Sequence, residues 1–218
     1  MANHSFTTHQ IRGQHLRLLA DKCIFWEEEQ ALILSDLHLG KTQHFRKHGI
    51  QAPLSIISGE ILRLERIFTQ HSPKKVYIVG DLFHSDVNSE WSVFEQFVSQ
   101  HAHSQWYLIR GNHDIMPTFL LSSNHIKSAT LLVDGPFLFS HQPQIHHELY
   151  VISGHKHPGV VLRGKGRQTV KMPCFYFSQN FALLPAFGNF TGLDTIQPTV
   201  GDAVFGITQT HVILLNQQ

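Results

Sequence analysis

Cysteine is nearly absent from this 218-residue chain: Cys23 and Cys174 are the only two. They are too few for a disulfide framework, and without a CxxC spacing they exclude structural zinc of the cysteine type. A reducing cytoplasm is the compartment that this usage implies. Charge is scarce as well. Charged residues make up 15% of the chain and the formal net charge is +1, modest for a strong binder of nucleic-acid duplexes. No apolar run approaches the roughly 18–20 residues of a membrane span, so no membrane partner is expected. The first ten residues carry neither a basic nor an apolar leader, and no signal peptide is read. No repeat, low-complexity tract or Pro/Gly/Ser linker divides the sequence. One domain over 1–218 is expected, with 1–10 loose, and a hydrophobic content of 42% excludes a disordered chain.

What the chain does have is histidine: 18, against 17 Lys+Arg and 16 Asp+Glu. With thiolates excluded, any histidines that bind metal must do so together with carboxylates.

The first half reads as β-α-β-α-β. Ala31-Leu32-Ile33-Leu34, Val76-Tyr77-Ile78-Val79 and Trp106-Tyr107-Leu108-Ile109 are short apolar runs that suit buried strands. Two or three strand-like runs cover 16–36. Apolar residues at 54, 57, 61, 64, 67 and 68 predict a helix over 53–70, with Pro53 near its first turn. A second helix, capped by Asn88 or Ser89, carries Trp91, Phe94, Phe97 and Val98 on one face. That alternation belongs to a parallel sheet with crossover helices. After Asp114 the pattern changes to short strands at 126–133, 136–140, 149–153, 159–163, 167–171, 174–178, 181–185, 203–207 and 211–215. Asp134-Gly135-Pro136 and Gly164-Lys165-Gly166 punctuate them as hairpin turns. The expected fold class is α/β, a two-sheet sandwich with helices outside.

Polar clusters follow the strands. Asp36-Leu37-His38 ends the first run, Gly80-Asp81-Leu82-Phe83-His84 the second and Gly111-Asn112-His113-Asp114 the third. In the second half His141 follows 137–140, and Gly154-His155-Lys156-His157 follows 150–153. Ligand crevices of open α/β sheets lie outside the carboxyl ends of the strands, where all five clusters fall. In extended chain residues i and i+2 share a side, so Asp36 and His38 can reach one ion together, and His155 and His157 stand in the same relation. Glycines at 80, 111 and 154 permit sharp turns and close approach. Asp, Asn and His without thiolate select divalent ions such as Mn, Fe, Zn, Co or Ni. Seven potential ligands exceed the needs of one ion, so two ions sharing a carboxylate is the economical arrangement. Singly, each motif is ordinary turn chemistry; five in order at strand ends are not.

These motifs resemble those of the calcineurin-like metallophosphoesterases, in order and complete over about 31–157. The resemblance implies an αββα sandwich with the metal site at the carboxyl ends of the strands. It implies one metal on Asp36, His38, Asp81 and His157, and another on Asp81, Asn112, His141 and His155, with Asp81 bridging. His113 would meet the substrate phosphate as general acid or charge stabiliser, oriented by Asp114. A narrower likeness covers Ser35-Asp36-Leu37-His38-Leu39-Gly40-Lys41, Phe45-Arg46-Lys47-His48-Gly49-Ile50, Pro53, Gly80-Asp81-Leu82-Phe83-His84-Ser85, Gly154-His155-Lys156-His157-Pro158-Gly159 and Leu184-Pro185-Ala186-Phe187-Gly188-Asn189-Phe190-Thr191-Gly192. It is to the ligase-associated DNA damage response group called PdeM, named as endonucleases, and implies association with a DNA ligase and a helicase.

The expected chemistry is in-line attack on phosphorus by a metal-bound hydroxide, with manganese as the first candidate. Two divalent ions against Asp36, Asp81 and a hydroxide leave about one positive charge, which a diester monoanion neutralises. Basic residues crowd the motifs. Residues 37–59 hold Lys41, Arg46 and Lys47, and 149–193 hold Lys156, Arg163, Lys165, Arg167 and Lys171, both without an acid. An anionic substrate, DNA among the candidates, would lie across the site on Lys41, Arg46, Lys47 and His84. A phosphomonoesterase or nucleotide pyrophosphatase is the rival reading, and a noncatalytic scaffold a more distant one, since His113 is kept.

Overall fold

The computed structural model describes residues 6–39, 55–83, 89–114, 121, 125–164, 166, 168–189 and 191–215. Seven strands form the first sheet, in sequence order: β1 (Phe6–Ile11), β2 (Gln14–Leu19), β3 (Cys23–Trp26), β4 (Ala31–Leu34), β5 (Lys75–Val79), β6 (Gln105–Ile109) and β7 (Ile126–Ala129). The first four are antiparallel neighbours, and β4 to β7 are parallel. Two crossovers contain helices, α1 (Ser55–His71) after β4 and α2 (Ser89–Gln100) after β5. The expected β-α-β-α-β unit is therefore present.

The second sheet is built from β8 (Leu131–Asp134), β9 (Phe137–Ser140), β10 (Tyr150–Ser153), β11 (Pro158–Arg163), β12 (Thr169–Phe177), β13 (Phe181–Leu183), β14 (Asp194–Thr195), β15 (Ala203–Ile207) and β16 (Val212–Leu215). Of these, β9, β10 and β13 run parallel, and most other pairs are antiparallel.

Strand periodicity sorts the side chains into layers. Leu32, Leu34, Val76, Ile78, Trp106 and Leu108 face the helices, where they meet Leu64, Ile67, Phe68, Trp91, Phe94 and Phe97. The alternate residues, Ile33, Tyr77, Val79 and Ile109, turn to the second sheet and pack on Phe137, Phe139, Tyr150, Ile152, Phe175, Phe177 and Phe205. The Tyr77 and Phe139 rings stack with centroids 4.5 Å apart across this interface. A smaller cluster of Val160, Cys174 and Val204 lies apart from the inter-sheet core. Both cysteines are buried and free. Among the described residues no helix is long and apolar enough to cross a membrane.

Three local expectations change. Residues 6–11 form an edge strand rather than a loose end, because β2 supplies a full antiparallel register from Phe6↔Leu19 to Ile11↔Gln14. Its polar sequence hides that pairing, since an edge strand with one wet face needs few apolar residues. The run at 126–133 is two strands. It breaks at Thr130, and the chain passes there from the first sheet to the second. The runs at 167–171 and 174–178 are one strand that changes partners near Pro173, from β11 to β13 and β15.

Candidate metal centre

The carboxyl ends of β4, β5, β6, β9 and β10 meet at one edge of the sandwich, and the loops leaving them are tied to one another. The Asp36 amide donates to the Gly80 carbonyl (3.0 Å), that of His38 to Asp81 (2.9 Å) and that of Leu39 to Leu82 (2.9 Å). A third segment, 185–189, closes over them from the second half. The Phe187 amide donates to Ser35 (2.8 Å) and the Gly188 amide to Asp36 (3.0 Å).

Six side chains converge there in two groups of three. Asp36, His38 and His157 form one group and Asp81, His141 and His155 the other, the donor atoms of each lying within 4.8 Å of one another. In the first, Asp36 Oδ1 is 3.2 Å from His157 Nε2 and 4.0 Å from His38 Nε2, and the two imidazole nitrogens are 3.4 Å apart. In the second, Asp81 Oδ2 is 3.5 Å from His141 Nε2, which is 3.1 Å from His155 Nδ1. Both carboxylates are buried. Imidazole nitrogens at these distances can share one proton or flank one cation, and two histidines with one carboxylate are a good donor set for a divalent metal. His141 is oriented for this. Its Nδ1–H donates to the Val79 carbonyl at 3.2 Å, which leaves Nε2 as the ligating atom.

The groups brace each other. The His155 amide donates to Asp36 Oδ2 at 3.1 Å, so a residue of the second group fixes the carboxylate of the first. Asp81 Oδ1 accepts the His113 amide at 3.0 Å. Burial raises the Asp81 pKa, but the hydrogen bonds from His141 and from the His113 amide overcome it, and the carboxyl is held down at about 2. For His141, burial favours the neutral ring, and the Asp81 hydrogen bond with the Asp36 charge reverses this, raising its pKa. His155 is lowered, first by burial and then by the neighbouring His141 charge.

The backbone is unusual at the ligands. Asp36, His38, Asp81, His155 and His157 have φ of 53°, 50°, 49°, 67° and 45°. Non-glycine residues seldom occupy this region, at a cost on the order of 1–3 kcal/mol each. It corrects the extended-chain argument. Asp36 and His38 do share a group and His155 and His157 fall into different ones, although all four have positive φ, so alternation along an extended chain governs neither pair. The histidines divide as the family resemblance implies, with Asp81 in the second group alone and Asn112 in neither. Glycine is needed where the loops touch. A Cβ on Gly80 (φ +81°) would lie 1.9 Å from His141 Nδ1, and one on Gly154 would lie 2.5 Å from Asp36 Oδ2.

The other expected site residues stand as follows. Asn112 is exposed beside this cluster, and its Oδ1 accepts Gln142 Nε2 at 3.1 Å. His113 is exposed, its ring centroid 5.9 Å from that of His38. Asp114 is buried and accepts the amides of Leu82 (2.8 Å), Phe83 (3.3 Å) and Gly111 (2.8 Å), clamping the β5 loop to the β6 loop. Burial and the Asp81 charge raise its pKa against the pull of those amides. Lys41, Arg46, Lys47 and His84 lie outside the described residues. Sequence reasoning missed Ser35, Arg63 and Glu60, which hold segment 185–189 in place. Ser35 Oγ donates to the Pro185 carbonyl at 3.3 Å, Arg63 Nη2 donates to the Phe187 carbonyl, and Glu60 accepts the Asn189 amide at 2.6 Å. Their signal was weak, because each acts on backbone atoms of a distant segment. Away from the site, the His9 ring packs on Phe177 and Phe205, with centroids 4.5 and 5.1 Å away.

Two His–His–Asp groups at the loop edge of an α/β sandwich suit a hydrolase that works through divalent cations. The model of the calcineurin-like phosphoesterase family matches residues 30–196, and the chain belongs to that family. It is similar to a solved nuclease, MPE of Pseudomonas putida, with 32% identity over 97% of this chain and 100% of that one and a TM-score of 0.82. It is also similar to the E. coli phosphoesterase Yfce (12% identity, 84% and 96% covered, TM-score 0.44). An archaeal phosphodiesterase is a further neighbour (17% identity, 85% and 99% covered, TM-score 0.41). No curated protein matches the sequence.

Proposed function

We propose that the protein is a two-cation phosphodiesterase that cleaves nucleic acid, with DNA as its substrate. The observation that carries this reading is the pairing of two His–His–Asp groups in a chain that matches a nuclease over its full length. Asp36, His38 and His157 would hold one cation, and Asp81, His141 and His155 the other, with Asn112 joining the second and Asp81 shared. When bound, two such cations activate water and neutralise charge on phosphorus. The carboxylates and imidazoles of the chain fix the spacing of that charge. The exposed His113 imidazole stands beside them and would hold the proton passed to the leaving oxygen. Its backbone amide ties it to Asp81, and Asp114 fixes the loop that carries it. Lys41, Arg46, Lys47 and His84 would bind flanking phosphates, so raised salt should weaken oligonucleotide binding.

The test is manganese-dependent hydrolysis of bis-p-nitrophenyl phosphate, p-nitrophenyl phosphate, and single- and double-stranded DNA. Diester and DNA cleavage abolished by chelation is the expected result. Hydrolysis of the monoester alone would replace this reading with a phosphatase.

A further inference from the structure

A cavity of about 720 Å³ opens beside α1, between the turn joining β2 to β3, strand β12 and the residues that follow β15. This size falls in the roughly 300–1,000 Å³ range of ligand pockets. Lys22, Arg63, Arg66 and Lys171 line it, and Asp21 is the one carboxylate among its lining residues. That carboxylate is already engaged by Arg66 Nη2. The adjacent Glu60 accepts the Asn189 amide. Lys22 forms no ion pair with a described residue. Burial and the Arg63 charge push its ammonium down to about 8.

The Nε–H groups of Arg63 and Arg66 are both buried with no hydrogen-bond partner. Lys22 also sits at φ 62°, in a turn conformation that glycine or asparagine would adopt more cheaply. Four cations against the charges of Asp21 and the adjacent Glu60 leave a positive excess, and cations so gathered repel each other and lose hydration. An anion with several acceptor atoms reverses both costs, and guanidinium forks match phosphate oxygens in particular.

We propose that this cavity is a second anion site, taking a phosphate group other than the one being cleaved. The group comes either as free phosphate or as a flanking backbone phosphate of the substrate; the latter source rests on the proposed function. A short path joins the cavity to the metal centre. The Arg63 guanidinium lies 3.8 Å from the Phe187 ring centroid and donates to the Phe187 carbonyl. The next amide, Gly188, donates to the Asp36 carbonyl. A phosphate held by Arg63 is thereby placed at a defined offset from the metal ligands.

Calorimetric titration of the full chain with inorganic phosphate, after chelation has removed cations, isolates the cavity from the metal centre. Wild-type protein should bind phosphate. Lys22→Gly, which also relieves the turn, should weaken it about tenfold, and Lys171→Gln should weaken it less, with circular dichroism unchanged in both. No binding to the chelated wild type, or wild-type affinity in both variants, overturns the proposal. A second arm compares KM for an oligonucleotide with KM for bis-p-nitrophenyl phosphate in the metal-loaded enzyme. A ratio raised by Lys22→Gly identifies a backbone phosphate, and an unchanged ratio with lost phosphate binding identifies free phosphate. A wild-type enzyme that cleaves no diester would remove the proposed function, while the chelated titration would still decide the cavity.

Discussion

At the loop edge, four imidazoles and two carboxylates turn their lone pairs toward one another; in the cavity beside α1, four cations outnumber the carboxylates of Asp21 and the adjacent Glu60. Both regions concentrate groups of one kind and leave the balancing charge to something the chain does not encode. They differ in how firmly they are made. The metal centre is held by backbone hydrogen bonds among the β4 loop, the β5 loop and segment 185–189, with five of its six donor residues in left-handed conformations. The cavity depends on long side chains, and Lys22 is its one left-handed residue. Rigid ligands at fixed spacing suit a cation that must be placed for chemistry, whereas flexible cations suit an anion that is only held.

That comparison can be broken at several points. The largest effect should come from Asp81→Asn, which removes the carboxylate charge of the second group. Metal content by elemental analysis should fall, and turnover should drop beyond the roughly 10²–10⁴-fold expected for losing an acid catalyst. His113→Ala should lose that 10²–10⁴-fold in kcat with metal content intact. Unchanged turnover would remove His113 from the mechanism. Gly154→Ala aims a methyl group at Asp36 Oδ2 and should cost roughly 10–100-fold in metal affinity. The loss should fall on the Asp36 site first, so equal loss from both sites would show that the groups do not act separately.

The smallest effect belongs to the cavity. Lys22 has a folded pKa of about 8 against an ordinary 10.5. Between those values the unfolded chain holds more protons, so stability rises with pH across that window, and the penalty is fully present below it. Denaturant titrations from pH 7.5 to 9.5 should show this rise, and Lys22→Gly should flatten it.

Much of the centre was readable before any coordinates. Short apolar runs ending in Asp-x-His, Gly-Asp, Gly-Asn-His-Asp and Gly-His-x-His mark parallel strands whose carboxyl ends carry polar loops, because a buried strand must be apolar and its exit is where the backbone can turn. Other features were invisible for a physical reason. β1 is polar, and its order comes from the partner strand rather than from its own pattern. The passage at Thr130 from one sheet to the other leaves no mark in a run of strand-forming residues.

Sequence by itself determined the α/β halves, the donor types and the order of the motifs, since these follow from local periodicity and side-chain chemistry. Tertiary structure decided which donors stand together. His155 and His157 are two residues apart yet fall in different groups, because packing sets the His155 ring beside His141 and the His157 ring beside His38 and Asp36. It alone also brought Lys22, Arg63, Arg66 and Lys171 to one cavity, from segments as far apart as β3 and β12, because charge proximity in a folded chain is set by packing and not by spacing.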